Sequence, residues 1–269
     1  IDELLFDAIE YALDNQNIDP EAETLLFNIA YEPVLRLWHD ARYDNECISG
    51  FFYDSCPIPS DEVLNLDYPI DPNDIVLNRD QLTIEFLKPG MGIDLGGFAK
   101  GYVSMIIQEY LAEYDISYIV NLGASNVLVG GENISNPSGE YYTIGLTTPS
   151  YESFGASYYG AVKLFDGYSV VTSGSYQRYI RNSEDPEDNT YYHHIIDPRT
   201  NKPGGEALAV SIITNNTALS DILSTAIFLM DYDYALNYVN QTEGLEAIWY
   251  FGPNDIRMSE NFEDFFIWL

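Results

Sequence analysis

Residues 92–102 read Gly92-Ile93-Asp94-Leu95-Gly96-Gly97-Phe98-Ala99-Lys100-Gly101-Tyr102, and the rest of the chain is organised around them. An apolar approach ends at Asp94, a Gly-Gly pair turns the chain, and a helical pattern runs from Phe98 to about Tyr114. Phe98, Tyr102, Val103, Ile106, Tyr110 and Leu111 recur at close to helical spacing. A Gly-rich turn feeding a helix lets backbone N–H groups come close to a ligand and favours an anion there. A plain loop that needs positive φ, with Lys100 in solvent, explains the same glycines. The stretch therefore calls for support from the remaining sequence.

At 269 residues, 46% of them hydrophobic, the chain is long and apolar enough for one domain or two joined subdomains. No apolar run approaches the length that spans a bilayer. The first residue is Ile rather than Met, which suggests a mature or trimmed chain. The formal charge is −32, with 43 acidic and 11 basic residues, which argues against nucleic-acid binding. An anionic ligand in such a field needs a local cation, a first hint of a divalent metal. Cys47 and Cys56 have neither a C-x-x-C pattern nor a His pair, so zinc is disfavoured. A short-loop disulfide and two free thiols both stay open.

Hydrophobic periodicity predicts helices over 2–14 (Leu5, Ile9 and Leu13 inward), 25–42, 217–230 and 232–240. A new segment starts at Asp19-Pro20, and a Pro- and Asp-rich connection covers 56–73. A hairpin is predicted over 75–86, turning at Asn78-Arg79-Asp80. Further strands are expected at 117–121, 126–129, 141–146, 160–165, 168–172, 192–196, 208–214, 245–251 and 265–269. A Leu-Gly-Ala-Ser turn at 122–125 and an acidic, Pro-containing loop at 183–189 separate some of these. Many strands with few helices and short links indicate an α+β protein with largely antiparallel sheet.

Three further places carry chemistry. In the helix over 217–230, Asp221 and Thr225 stand four apart on one face, as two hard oxygen donors suited to magnesium. Dipole stabilisation by Asp221 and back-bonding by Thr225 explain the pair equally well. In Tyr191-Tyr-His-His-Ile-Ile-Asp-Pro-Arg-Thr200, strand alternation puts His193 and His194 on opposite faces, and Arg199 and Lys202 bring scarce positive charge beside Asp197. In Val170-Val-Thr-Ser-Gly-Ser-Tyr-Gln-Arg-Tyr179, a strand ends in a hydroxyl-rich turn that is suited either to phosphate or to nothing more than ending a strand.

Ile-Asp-Leu-Gly-Gly-Phe-Ala-Lys-Gly-Tyr, Val-Asn-Leu-Gly-Ala with Gly-Gly, Thr-Ser-Gly-Ser-Tyr-x-Arg-Tyr, His-Ile-Ile-Asp-Pro-Arg-Thr and Ser-Asp-x-Leu-Ser-Thr-Ala occur in that order. Taken together, these motifs make the chain resemble the ApbE-like family of FAD:protein FMN transferases, over about residues 26–230. The resemblance implies one ApbE-like domain over 1–269, with antiparallel sheets flanked by helices and two closely joined subdomains around an active-site cleft. It also implies that the family's leading strands fall before Ile1. Members cleave FAD, place FMN on a Thr or Ser hydroxyl of an acceptor protein and release AMP. Some are described instead as hydrolysing FAD to FMN and AMP.

By position, the resemblance implies magnesium held by Asp221, Thr225 and the backbone carbonyl of Gly97. It implies FAD contacts from Leu26, Phe27, Asn28, Asp94, Lys100 and Ile195, and it makes His194 the match to the family's proposed base. An extracytoplasmic bacterial location, periplasmic or cell-surface and often lipid-anchored, comes with it. The chain departs from the family at Glu23-Thr-Leu-Leu-Phe-Asn28, where a Gly and an Asp of the usual motif are gone, and at Asn121-Leu-Gly-Ala-Ser125. The first change leaves a third expectation beside transferase and FAD pyrophosphatase, namely a non-catalytic flavin-binding or scavenging protein.

Overall fold

The computed structural model describes residues 1–269 except 20–21, 44–46, 50–53, 124, 137, 152–156 and 186. Pro20, Ala124 and Pro186, expected at a segment start and in two loops, lie outside the described residues. The helices are α1 (Glu3–Asn15), α2 (Glu32–Tyr43), α3 (Asp61–Leu64), α4 (Ala99–Leu111), α5 (Ser220–Leu229) and α6 (Tyr232–Gln241). The chain divides into two units, Ile1–Gly97 with Ser175–Gly204 and Phe98–Gly174 with Gly205–Leu269.

The first unit opens with strands β1 (Ile48–Ser49), β2 (Asp54–Cys56), β3 (Ile75–Asn78) and β4 (Thr83–Phe86). The second takes β5 (Tyr118–Leu122), β6 (Asn126–Gly130), β7 (Tyr142–Thr147), β8 (Tyr158–Leu164) and β9 (Ser169–Gly174). The chain returns to the first for β10 (Tyr179–Asn182), β11 (Tyr192–His193), β12 (Ile196–Asp197) and β13 (Lys202–Pro203). It ends in the second with β14 (Ala209–Thr214), β15 (Leu245–Gly252), β16 (Asp255–Met258) and β17 (Phe266–Trp268).

The second unit is built on a six-stranded antiparallel sheet in the order β16-β15-β14-β9-β6-β5. Every residue of β6 and β14 is buried. One face meets the three-stranded sheet β17-β8-β7 across Val127, Val129, Val162, Leu164, Val170, Ile213, Ile248 and Phe266. The other carries α4, against β5 and β6, and α5, against β9 and β14. Alternation along β6 sends Val127 and Val129 to the sheet side, so Asn126 faces the helices. No helix among the described residues is long and apolar enough to cross a membrane.

In the first unit, Tyr31, Val34 and Trp38 pack with Leu64 and Ile196. Asn201, held at φ 58°, ties them together. Its carbonyl accepts the Trp38 Nε1–H at 2.9 Å, and its Nδ2 donates to the Leu64 carbonyl at 2.7 Å. Asn tolerates this left-handed conformation better than most residues do. A four-stranded sheet β1-β2-β10-β11 and the predicted β3–β4 hairpin complete the unit.

Several expectations need correction. α1 buries Phe6, Ile9 and Ala12, and Leu5 is exposed. Both sets share helical spacing, so periodicity left the phase open. The guanidinium of Arg79 stacks over Phe6 at 4.5 Å and pairs with Asp7 and Glu10, which fixes that phase. α2 begins at Glu32 rather than near Leu25, because Asn28 caps a short 3-10 turn (Ile29–Tyr31) that precedes it. Within α4, Val103 and Tyr110 are exposed while Gly101 and Ser104 are buried. The connection over 56–73 contains α3, capped by Ser60.

Cys47 and Cys56 form a disulfide. By loop-closure entropy, a bridge between residues nine apart stabilises the fold by about 2–3 kcal/mol. Reduction is therefore expected to lower the urea midpoint of the first unit, and a Cys47→Ser/Cys56→Ser variant should show the same lowered midpoint with and without reductant. An unchanged midpoint after thiol labelling confirms reduction would mean that packing alone holds this corner.

Candidate active site

α5 is apolar on nearly every side, and Ala218, Ile222, Leu223, Ala226, Ile227 and Met230 are all buried as expected. Asp221 is the one charged residue of that helix, a carboxylate that is 3% exposed. Burial of an ion is tolerated only with partners. The first turn of α4 supplies them. The Gly101 N–H donates to Asp221 Oδ2 at 2.8 Å, and Lys100 Nζ lies 3.4 Å from the same oxygen. The Phe98 cap position gives α4 no side-chain bond of its own, so Asp221 serves as the anion at the positive end of that helix.

Asp221 Oδ1 accepts from Asn126 Nδ2 at 3.4 Å. Asn126 is itself joined to Ser104 Oγ and Ser220 Oγ, each at 3.3 Å. Asn126, Ser104 and Gly101 were not singled out in the sequence. The only signal was a polar residue at the start of an otherwise apolar strand and a glycine inside a helical pattern. Back-bonding on α5 comes from Ser220, which donates to the Thr217 carbonyl at 2.7 Å, and from Ser224, which donates to the Asp221 carbonyl at 3.0 Å. The hydroxyl-rich strand end is committed to packing within the unit, with Thr172 Oγ1 2.7 Å from Ser211 Oγ and Ser173 Oγ 2.9 Å from Ser224 Oγ.

Thr225 follows Asp221 by four residues on α5 and is half-buried. No group of three or more His, Cys, Asp or Glu side chains suited to a metal occurs among the described residues. One carboxylate and one hydroxyl nevertheless suit magnesium, which keeps several waters and uses few protein ligands beside substrate phosphates. Lys100 holds the cationic place at a loose 3.4 Å and is itself 36% exposed, while the carboxylate it faces is buried.

The other expected site residues lie in the first unit. Asp94 Oδ1 accepts the Gly96 N–H at 2.7 Å, and the Asp94 N–H donates to the Ile29 carbonyl at 2.9 Å. This pins the Gly96-Gly97 turn. A Cβ on Gly92 would fall on the Glu32 carboxylate, so a side chain here would have to push the end of Glu32 aside. Phe27 is buried and Leu26 half-buried. Both ends of the Asn28 amide are engaged: Oδ1 accepts from Ala30 N–H and Nδ2 donates to the Ile70 carbonyl, each at 2.9 Å. Arg199 and Lys202 are drawn into ion pairs with Asp197 and Asp61.

The expected strand over 192–196 is broken in two. β11 joins one sheet and β12 another, with His194 and Ile195 at the crossing. His193 Nδ1 accepts the Ile195 N–H at 3.3 Å, and the Ile195 carbonyl accepts from Gly204 N–H at 3.2 Å. Ile195 and His193 are buried, and His194 is half-buried with its Nδ1 enclosed and unpartnered. Burial, reinforced by Arg42, His193 and Arg178, holds the His194 imidazole down at about 3. Burial and Arg42 hold His193 at about 4. Both rings are neutral near pH 7, and His194 is in its proton-accepting form.

These depressed imidazoles give a stability prediction. Between about pH 6.5 and the folded-state values, the unfolded chain binds protons that the fold refuses. The stability they confer is complete above 6.5 and falls as the pH drops, by up to about 1.4 kcal/mol per pH unit for each ring. Urea unfolding from pH 7 to 4.5 should therefore show a steeper acid loss for the natural chain than for His194→Asn. Equal slopes would show that His194 titrates normally in the fold.

The ApbE family model matches residues 1–249. The FAD:protein FMN transferase of Klebsiella pneumoniae (strain 342) is 30% identical over 235 residues, 87% of this chain and 66% of that protein. The protein of the same name from Treponema pallidum (strain Nichols) is 30% identical over 188 residues, 68% of this chain and 50% of that one. The chain thus spans between half and two thirds of the length of these curated relatives. Among solved structures, the ApbE protein of Thermotoga maritima superposes with a TM-score of 0.79 at 25% identity, covering 98% of this chain and 78% of that one. The apo flavinyl transferase ApbE of Pseudomonas stutzeri, at 19% identity and a TM-score of 0.71, covers 98% of this chain and 75% of its own and supports the fold. With its five motifs in order, this α+β fold and a family match over nearly its whole length, the chain belongs to the ApbE family.

Proposed function

We propose that this protein transfers FMN from FAD to a Thr or Ser hydroxyl of an acceptor protein, with magnesium, and releases AMP. The observation that carries the reading is the buried Asp221 at the α4 N-terminus, with Lys100 beside it, in a chain whose relatives bear the name FAD:protein FMN transferase. Asp221, Thr225 and the Gly97 carbonyl would hold magnesium, which when bound offsets the diphosphate charge and polarises the phosphorus. Lys100 adds a second positive charge against the overall −32 of the chain. Leu26, Phe27, Asn28, Asp94 and Ile195 would bind FAD, with Phe27 offering an aromatic face to the isoalloxazine.

His194, neutral at pH 7, accepts the proton of the acceptor hydroxyl. The hydroxyl oxygen bonds to the FMN-side phosphorus, the bond from that phosphorus to the bridging oxygen breaks, and AMP leaves with that oxygen. An extracytoplasmic location is part of the same reading. The Cys47–Cys56 disulfide supports it, because such bonds persist in oxidising compartments.

The test is incubation with FAD and magnesium, with and without a flavin-acceptor domain, read by mass spectrometry. Gain of one FMN by the acceptor with AMP release, both abolished by EDTA, is the expected result. FMN and AMP without acceptor modification would instead make the protein an FAD pyrophosphatase, and FAD bound but intact would make it a flavin carrier.

A further inference from the structure

Cys47 and Cys56 stand opposite one another on the β1–β2 pair, whose register runs Ile48↔Ser55 and Ser49↔Asp54. Cys47 is half-buried and Cys56 is fully buried, so an incoming thiolate meets the Cys47 sulfur first. The bridge also lies against the end of α2. Cys47 Sγ is 3.3 Å from the Ala41 carbonyl oxygen and 3.5 Å from that of Arg42, and Cys56 Sγ is 3.9 Å from the latter.

From Cys56 a continuous run of backbone pairing leads to His194. Cys56 ends β2 opposite Asn182 in the parallel ladder with β10, and its carbonyl accepts the Ser183 N–H at 3.0 Å. β10 in turn pairs Tyr179 with His193 and Ile180 with Tyr192. Arg178 immediately precedes β10, and its carbonyl accepts the His194 N–H at 3.1 Å. Each of these ladders is only two or three residue pairs long, and strand pairing that short is marginal without a further constraint. The end of α2 bears on the same histidines, since Arg42 acts electrostatically on both imidazoles. Its Nε is enclosed with no hydrogen-bond partner, so no bond at that nitrogen anchors it. The disulfide is the covalent link that holds this helix end and β2 together beside β10.

We propose that Cys47–Cys56 is a redox switch acting on His194: oxidised, it keeps β10 and β11 paired around the His194 crossing, and reduced, it releases them. A dithiol reductant supplies the chemistry. One of its thiolates attacks Cys47 Sγ, the bond to Cys56 breaks, and the Cys56 thiolate leaves and takes up a proton. The second thiolate of the reductant then displaces Cys47, which is protonated in turn. Two electrons and two protons pass to the protein, and the reductant ends as a disulfide. Loop-closure entropy favours short loops least, so a bridge between residues nine apart resists reduction little. Cys47 then faces carbonyl oxygens at the C-terminal end of α2, which disfavours its thiolate and slows reclosure. Under the function proposed above, on which this consequence alone rests, the oxidised chain is the competent transferase and oxidising surroundings turn it on.

The test is amide hydrogen exchange of the full chain without FAD, before and after dithiothreitol, with thiol labelling to follow reduction. The expected result is labelling of both cysteines under native conditions and exchange at least about tenfold faster at the Ser183 and His194 amides. Amides of α5, in the second unit, are the reference and should not change. Oxidised glutathione should restore slow exchange. Cys47→Ser/Cys56→Ser should exchange fast with and without dithiothreitol; should that variant unfold, reversible reduction of the natural chain decides.

A bridge that dithiothreitol leaves unlabelled under native conditions would overturn the proposal, as would labelled thiols with unchanged exchange at Ser183 and His194. Acceleration shared equally by α5 would also overturn it, as a general loss of stability. Accelerated amides with AMP release indifferent to reduction would keep the switch and remove His194 from the proposed reaction. Accelerated amides with no AMP release from FAD in either form would keep the switch and remove the proposed function.

Discussion

Asp221→Asn is expected to lower magnesium-dependent AMP release from FAD by about 10³-fold, the scale of several kcal/mol of transition-state stabilisation. The side chain keeps its volume and still offers one oxygen to the Gly101 N–H, now held at 2.8 Å by Oδ2. Its new amide, however, faces Asn126 Nδ2, another donor, and Lys100 is left without its carboxylate. The fold should lose about 1–3 kcal/mol from that donor clash and the unpaired cation. Turnover is measured against magnesium concentration with near-UV circular dichroism as the check on folding. A folded Asn variant with the natural magnesium response would remove Asp221 from the metal site.

The residues around Asp221 also mark how far the sequence could be read. The motif order brought out Asp94, Lys100, His194 and Asp221, because each sits in a short run with a recognisable pattern. The apolar face of α5 was legible for the same reason, since all six of its expected inward residues are buried. Features that depend on distant partners were not legible. Whether Phe6 or Leu5 points inward depends on Arg79, which stacks on one of them from another element. The division of 192–196 between two sheets depends on pairing with β10 and β13, and local alternation carries no trace of either. Asn126 reads as one polar residue at a strand edge until α4 and α5 are laid beside it. Arg42 reads as an ordinary helix-terminal cation until its missing partner is seen.

Gly101→Ala should combine a loss of stability with a loss of turnover, through geometry that one methyl group cannot fit. A Cβ at this position would stand 2.8 Å from the Thr217 carbonyl oxygen, 3.0 Å from that of Ala218 and 3.1 Å from Ser220 Oγ. Two of the three are backbone atoms, and the Thr217 oxygen is already fixed by the Ser220 hydroxyl at 2.7 Å. Neither carbonyl oxygen can rotate away, so α4 must move off the start of α5. Alanine gains about 0.5–1 kcal/mol over glycine in a helix. Overpacking costs about 1–3 kcal/mol, so the net effect is a loss of up to about 2.5 kcal/mol. The shift lengthens the Gly101 N–H bond to Asp221 and carries Lys100 with it, because the two residues are adjacent on α4. A displacement of about 1 Å in groups that position the reacting charge costs about 10²-fold in rate. Val103→Ala, exposed on the same helix, is the control and should change stability by less than about 0.5 kcal/mol. Lowered stability with intact turnover in Gly101→Ala would separate the helix contact from the chemistry. Unchanged stability would show that the crossing has room for a methyl group and that the glycine is kept for another reason.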